Sequence, residues 1–167
     1  MKEHNTIVVY YSFEGNTEYV AEKIAAEMKA DLLKLKPRKE PARTGLKKYF
    51  EGGKSALKGE RVKLEKFDVD FNQYDTVVIG SPVWAGTFPP AINSFLFSVR
   101  LKGKRIFLFG TSASGNDAKM IEKLTDRLNA NNDVAAELSV KSPVTSVADE
   151  DILEFCETIR FYQDDEV

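Results

Sequence analysis

Residues Ile7-Val8-Val9-Tyr10-Tyr11 form an apolar run without polar alternation, and Ser12-Phe13-Glu14-Gly15-Asn16-Thr17 follows it directly. A strand that is apolar on both faces has to be covered on both, which places it inside a parallel sheet with helices above and below. The pattern then changes period. Val20, Ile24 and Met28 recur every fourth residue with Ala21 and Ala25 beside them, while Glu18, Glu22, Lys23 and Glu27 face away. The spacing predicts a strand over Asn5 to Ser12 and a helix over Thr17 to Lys29, joined by an abrupt turn. That turn holds two hydroxyl residues, an Asn and a Gly, but no Lys or Arg. Any anion bound there must be held by backbone N–H groups, hydroxyls and the helix N-terminus.

The same alternation repeats along the chain. Asp31 to Leu35 reads as a second strand, Tyr74 to Ser81 as a third with Val77-Val78-Ile79 at its centre, Arg105 to Gly110 as a fourth and Val134 to Val140 as a fifth. Pro89 and Pro90 open a helix in the first-turn position that suits proline, with Ile92, Phe95, Leu96 and Val99 on one face. Ala118 to Leu128 and Asp149 to Tyr162 repeat the helical period, the latter with Ile152, Phe155, Cys156 and Ile159 on its stripe. The irregular stretch is Pro37 to Asn72. A broken helix is expected there around Gly45 to Leu57, because Gly52-Gly53 costs roughly 1 kcal/mol per residue against Ala; Tyr49, Phe50, Ala56 and Leu57 would anchor it to the sheet edge. Strands alternating with helices imply right-handed crossovers and a doubly wound three-layer α/β fold, with function at the carboxyl ends of the strands.

With 167 residues, 43% of them hydrophobic, the chain reads as one domain over residues 1–167. Cys156 is the only cysteine and His4 the only histidine, which excludes an internal disulfide, a cysteine-based metal site and histidine-centred catalysis within one chain. Chemistry beyond simple carboxylates then needs a cofactor. Lys2-Glu3-His4-Asn5 precedes the first apolar run, so neither a signal peptide nor a membrane span is expected and a cytoplasmic location follows. Lys34 to Lys66 carries 12 of the 24 basic residues and 4 of the 26 acidic ones, leaving that segment at +8 and the remainder at −10. A solvated basic face is the first reading, a docking face or anionic-ligand patch the alternative, and nucleic acid is not implied by charge alone.

In a doubly wound sheet the loops after strands one, three and four meet at the topological switch point. Here they are Ser12 to Thr17, Ser81 to Pro90 and Thr111 to Asp117, all rich in small and polar residues that let a planar ligand approach closely. Ser12-Phe13-Glu14-Gly15-Asn16-Thr17 resembles the phosphate loop of flavodoxins, and Gly80-Ser81-Pro82-Val83-Trp84-Ala85-Gly86 with Pro89-Pro90 is similar to the second flavin loop of flavodoxin-like oxidoreductases. The resemblance implies a flavodoxin-like fold with a five-stranded parallel sheet of order 2-1-3-4-5, and FMN as the cofactor. It further implies that Ser12, Asn16 and Thr17 contact the phosphate, with the amides of Phe13, Glu14, Gly15, Asn16 and Thr17 turned towards it and Glu14 in solvent. Ser81, Pro82, Val83, Trp84, Ala85 and Gly86 would border the isoalloxazine. Thr111, Ser112, Ala113, Ser114, Gly115 and Asn116 would meet the ring or the ribityl chain. By the same resemblance, the Ala85-Gly86 peptide is expected beside flavin N5.

The function this implies is electron transfer through a noncovalent flavin. The partner is either a redox protein, if the chain is a carrier, or NAD(P)H, if it is an FMN- or quinone-type reductase. Two departures from carrier flavodoxins lean towards the reductase: the third loop has no aromatic residue to cover the second flavin face, and the pI is a mild 5.6. A cofactor-free binding module of the same fold is the remaining alternative. A receiver domain would need acids where Tyr10-Tyr11 and Ser81 stand, and the Gly-x-x-x-x-Gly-Lys and Gly-x-Gly-x-x-Gly phosphate motifs are missing. The oligomeric state is not legible.

Overall fold

The computed structural model describes residues 5–40 and 47–165, with the backbone alone at 47–50. His4, and the side chains of Tyr49 and Phe50, lie outside the described residues. Five strands, β1 (Thr6–Tyr10), β2 (Asp31–Lys34), β3 (Thr76–Pro82), β4 (Arg105–Ser112) and β5 (Asp133–Lys141), form one parallel sheet in the order β2-β1-β3-β4-β5. Five helices connect or follow them: α1 (Asn16–Met28), α2 (Lys47–Leu57), α3 (Pro90–Ser98), α4 (Ala118–Leu128) and α5 (Asp149–Asp164). The strand order reverses direction between β1 and β3, as a doubly wound sheet requires.

The alternation of side chains along each strand divides the core in two. Ile7, Val9, Val77, Ile79, Ile106 and Leu108 pack with Ile92 and Phe95 of α3 and Ile121 and Leu124 of α4. Val8, Tyr10, Val78, Phe107 and Phe109 pack with Val20 and Ile24 of α1 and Ile152, Phe155 and Ile159 of α5. Burying both faces explains why the central strands read as unbroken apolar runs. Cys156 is fully buried in the second layer, where burial pushes its thiol up to about 11 and leaves it a packing residue.

Two boundaries differ from expectation in ways that shape the functional edge. β3 runs one residue past its expected end at Ser81, to Pro82, and β4 continues through Thr111 and Ser112, because Ser81 pairs with Gly110 and Pro82 with Thr111. The first residues of the second and third loops are thereby held in the sheet. Helix α2 is continuous across Gly52-Gly53 instead of broken. A Cβ on Gly52 would sit 3.1 Å from the Trp84 indole and one on Gly53 3.5 Å from Ala85. The glycines let α2 lie directly against the loop after β3, which offsets their low helix propensity. Ala56 is buried, but Leu57 stands 66% exposed and does not anchor the helix.

Candidate functional site

The carboxyl ends of β1, β3 and β4 open into a cavity of about 230 Å³. From the first loop it is lined by Ser12, Phe13, Glu14, Asn16 and Thr17; from the second by Pro82, Val83, Trp84 and Ala85; from the third by Thr111, Ser112 and Ala113. Gly52 and Gly53 of α2 and Ser142 after β5 complete the wall, and none of these three was expected from the sequence. Gly15, Ser81, Gly86, Ser114, Gly115 and Asn116 lie outside the lining. Gly15 adopts φ +94, the left-handed turn that aims the chain into α1 and suits glycine.

Direct bonds latch the loops together. The hydroxyls of Thr17 and Thr111 are 2.8 Å apart and buried, tying loop one to loop three. The Val83 N–H donates to the Thr111 carbonyl at 3.0 Å, tying loop two to loop three. The Ser142 N–H donates to the Ser112 carbonyl at 2.8 Å, which brings the residue after β5 to the same place. Within loop two, Trp84 and Thr87 exchange two backbone hydrogen bonds around Ala85 (φ +51) and Gly86 (φ +72). Positive φ at both central positions defines a type I′ turn, and Ala85 carries the strain that a non-glycine residue meets there.

The start of α1 brings hydrogen-bond donors to the cavity. The first-turn amides of α1 have no carbonyl four residues back to satisfy them, and the helix dipole adds about half a positive charge at that end. The Asn16 side chain is oriented by its Oδ1, which accepts the Val144 N–H at 2.8 Å, so its NH₂ is left to donate. Ser12 Oγ accepts the Gly15 N–H at 3.2 Å, which leaves its hydroxyl proton to donate. Glu14 is exposed, and among the described residues the lining contains no Lys, Arg or His. Deeper in, Ser112 Oγ is buried without a hydrogen-bond partner, a vacancy that costs about 1–3 kcal/mol unless a ligand fills it.

The other end is aromatic and apolar. Trp84 meets the rings of Tyr11 and Phe13 edge-on, at centroid distances of 5.8 and 5.7 Å, and lies against Gly52. Tyr11 donates its hydroxyl to Glu40 at 2.9 Å, and Tyr10 donates to Glu18 at 3.2 Å, so both strand tyrosines are buried in the core with a satisfied polar tip.

Asp117, which precedes α4 behind the third loop, is a buried carboxylate that the sequence did not single out. Its Oδ1 accepts the Ser139 hydroxyl, while Oδ2 has no partner and fills the space left by the missing side chain of Gly110. Burial raises its pKa from the ordinary 3.8. The folded protein therefore holds this proton more tightly than the unfolded chain, so the group's stabilising contribution is complete below the unfolded value and is lost as pH rises through the folded one. Asp117→Asn removes that dependence. The urea stability difference between the two proteins should shift in the variant's favour as pH rises above the ordinary carboxylate value of 3.8; a difference that stays flat contradicts this account of Asp117.

Among the described residues there is no cluster of three or more His, Cys, Asp or Glu able to hold a metal, and no helix is long and apolar enough to cross a membrane. No curated protein sequence matches the chain. Solved structures do. A Lactobacillus acidophilus flavoprotein, solved in complex with FMN, aligns with 90% of this chain and 99% of its own covered, at 24% identity and a TM-score of 0.69. Oxidised flavodoxin 2 from Bacillus cereus covers 95% of this chain and 99% of its own at 16% identity and a TM-score of 0.65. At such identities the likeness shows the fold. The family model described as Flavodoxin matches residues 5–158, nearly the whole chain, and with that match the chain belongs to the flavodoxin family.

Proposed function

We propose that the chain binds one FMN noncovalently in this cavity and uses it to transfer electrons. The observation that carries the reading is a polar end and an aromatic end within one cavity: open α1 amides, the Asn16 NH₂ and the Ser12 hydroxyl at one, Trp84 and Val83 at the other. A phosphate dianion needs several donors and no obligatory cation when a helix N-terminus supplies them. The FMN complex of the Lactobacillus acidophilus protein supports the choice of flavin.

When bound, FMN supplies one- and two-electron chemistry that no side chain of this protein offers. The chain's own residues bind and orient. Ser12, Asn16, Thr17 and the amides from Phe13 onward would hold the phosphate, Ser112 would gain a hydrogen-bond partner, and Pro82, Val83, Trp84 and Ala85 would border the ring. Thr111, Ser112 and Ala113 would meet the ring or the ribityl chain. The reductase reading has one observation in its favour: Ala113, Ser114 and Asn116 are exposed and carry no aromatic ring to cover the second flavin face. NAD(P)H or a quinone then has room to approach.

Gel filtration after mixing the chain with excess FMN should recover one flavin per chain, with the emission of Trp84, the only tryptophan, strongly quenched. Colourless protein with unchanged emission would favour the cofactor-free module. Anaerobic mixing of the FMN-loaded protein with NADPH and NADH then separates the two redox readings: rapid bleaching marks a reductase, and an unchanged flavin spectrum marks a carrier.

A further inference from the structure

The basic segment adjoins the proposed flavin cavity. An antiparallel bridge between Pro37 and Leu64 is closed by the Arg38 N–H on the Lys63 carbonyl at 2.8 Å and the Glu65 N–H on the Lys36 carbonyl at 2.7 Å. It brings Lys36, Arg38 and Lys63 side by side. A second cavity of about 390 Å³ lies between this bridge and α2; Pro37, Lys39 and Val62 line it, and it shares Gly52 and Trp84 with the first. The charged face thus runs up to the indole that walls the flavin cavity.

Lys36, Arg38, Lys39, Lys54, Lys58 and Lys63 are all exposed and, among the described residues, make no salt bridge or side-chain hydrogen bond. Lys34, at the start of the segment, and Lys23, Arg105 and Arg160 outside it are bridged to carboxylates. Of the segment's acids, Glu40 is engaged by Tyr11 and Glu60 by Ser55, and Glu51 and Glu65 are exposed on the same face. Two apolar side chains stand out on this side. Leu57 is 66% and Phe97 70% exposed, and the Arg61 guanidinium lies 3.7 Å over the Phe97 ring. Exposed apolar anchors with unpaired charges around them have the anatomy of a transient protein interface.

We infer that this face docks an acidic redox protein, one that presents carboxylates around an exposed redox centre. The inference rests on the FMN reading, since the face gains its meaning from the flavin beside it. A partner protein is favoured over a phosphate polymer or lipid surface because Glu51, Glu60 and Glu65 interrupt the cations, a mixed pattern that another protein's charges can match. Each docking passes one electron from the partner's reduced centre to the flavin. Two such transfers, with protons taken from solvent, complete the reduction of FMN and leave two partner molecules oxidised.

The probe is a reduced plant-type [2Fe–2S] ferredoxin, an acidic protein, mixed anaerobically with FMN-loaded chain; reduced methyl viologen, a cation, is the control donor. The ferredoxin rate should fall about tenfold between low salt and about 0.5 M, as for steered association of opposite charges, while the viologen rate does not fall. Replacing Lys36→Glu, Lys58→Glu and Lys63→Glu together should slow ferredoxin about tenfold at low salt and abolish its salt dependence, with FMN affinity and the viologen rate unchanged. A ferredoxin rate indifferent to salt and to charge reversal overturns the inference. So does retention on phosphatidylserine vesicles that the triple variant loses, which would assign the face to a membrane. A chain that takes up no FMN fails the parent reading at preparation, and its retention on immobilised ferredoxin at low salt reads docking separately.

Discussion

Asn16→Asp is expected to weaken FMN binding about a hundredfold while leaving riboflavin binding nearly unchanged. The substitution keeps the oxygen that accepts the Val144 N–H, so the start of α1 stays where it is. It replaces the NH₂ that faces the cavity with a second carboxylate oxygen. A hydrogen bond to a charged group contributes about 1.5–3 kcal/mol, or roughly 10- to 150-fold in affinity, and like-charge repulsion between carboxylate and phosphate adds to the loss. Riboflavin lacks the phosphate and should not register the change. Parallel fluorescence titrations of the variant with both flavins measure this directly; an equal loss for the two would place Asn16 away from the phosphate.

The second large effect concerns the fold that carries the loop. Gly80 lies in β3, in register with Tyr10 on one side and Phe109 on the other. A Cβ there would overlap the Phe109 ring, which is fully buried and cannot swing into solvent. Gly80→Ala should therefore destabilise by about 3 kcal/mol, the upper end of ordinary overpacking, and lower the Tm by roughly 6–12 °C for a domain of this size. Adding Phe109→Leu should recover part of that loss, because the two substitutions share one volume and cannot be additive. Thermal melts of the three variants test it; a Gly80→Ala protein as stable as the parent would mean that the ring has room to move.

The sheet was legible because burial on both faces leaves Ile7 to Tyr11, Val77 to Ile79 and Ile106 to Phe109 almost without polar residues. The turn of the first loop was legible for a related reason: a strand that stops near Ser12 and a helix that begins by Thr17 leave few residues to turn the chain, and Gly15 supplies the positive φ. What could not be read is what tertiary packing decides. Gly52-Gly53 looks like a helix break until Trp84 is seen against it, since propensity is local and the compensating contact comes from a loop more than 30 residues away. Ser142 carries no motif, yet its position just beyond β5 at the carboxyl edge of the sheet was a usable signal. Asp117 was hidden because a buried carboxylate before a helix reads as an ordinary cap. The edge strands β2 and β5 were legible as well, each to within a residue at either end.

The central claim is that the first loop grips a phosphate belonging to a flavin. Titration of the flavin-free chain with FMN and, in parallel, with riboflavin tests that claim most directly, because the two ligands differ only by the group the loop is built to hold. The account predicts one FMN per chain and an affinity for riboflavin at least about a hundredfold lower, as several charge-assisted hydrogen bonds are lost together. Equal affinity for the two flavins, or no uptake of either, would contradict it.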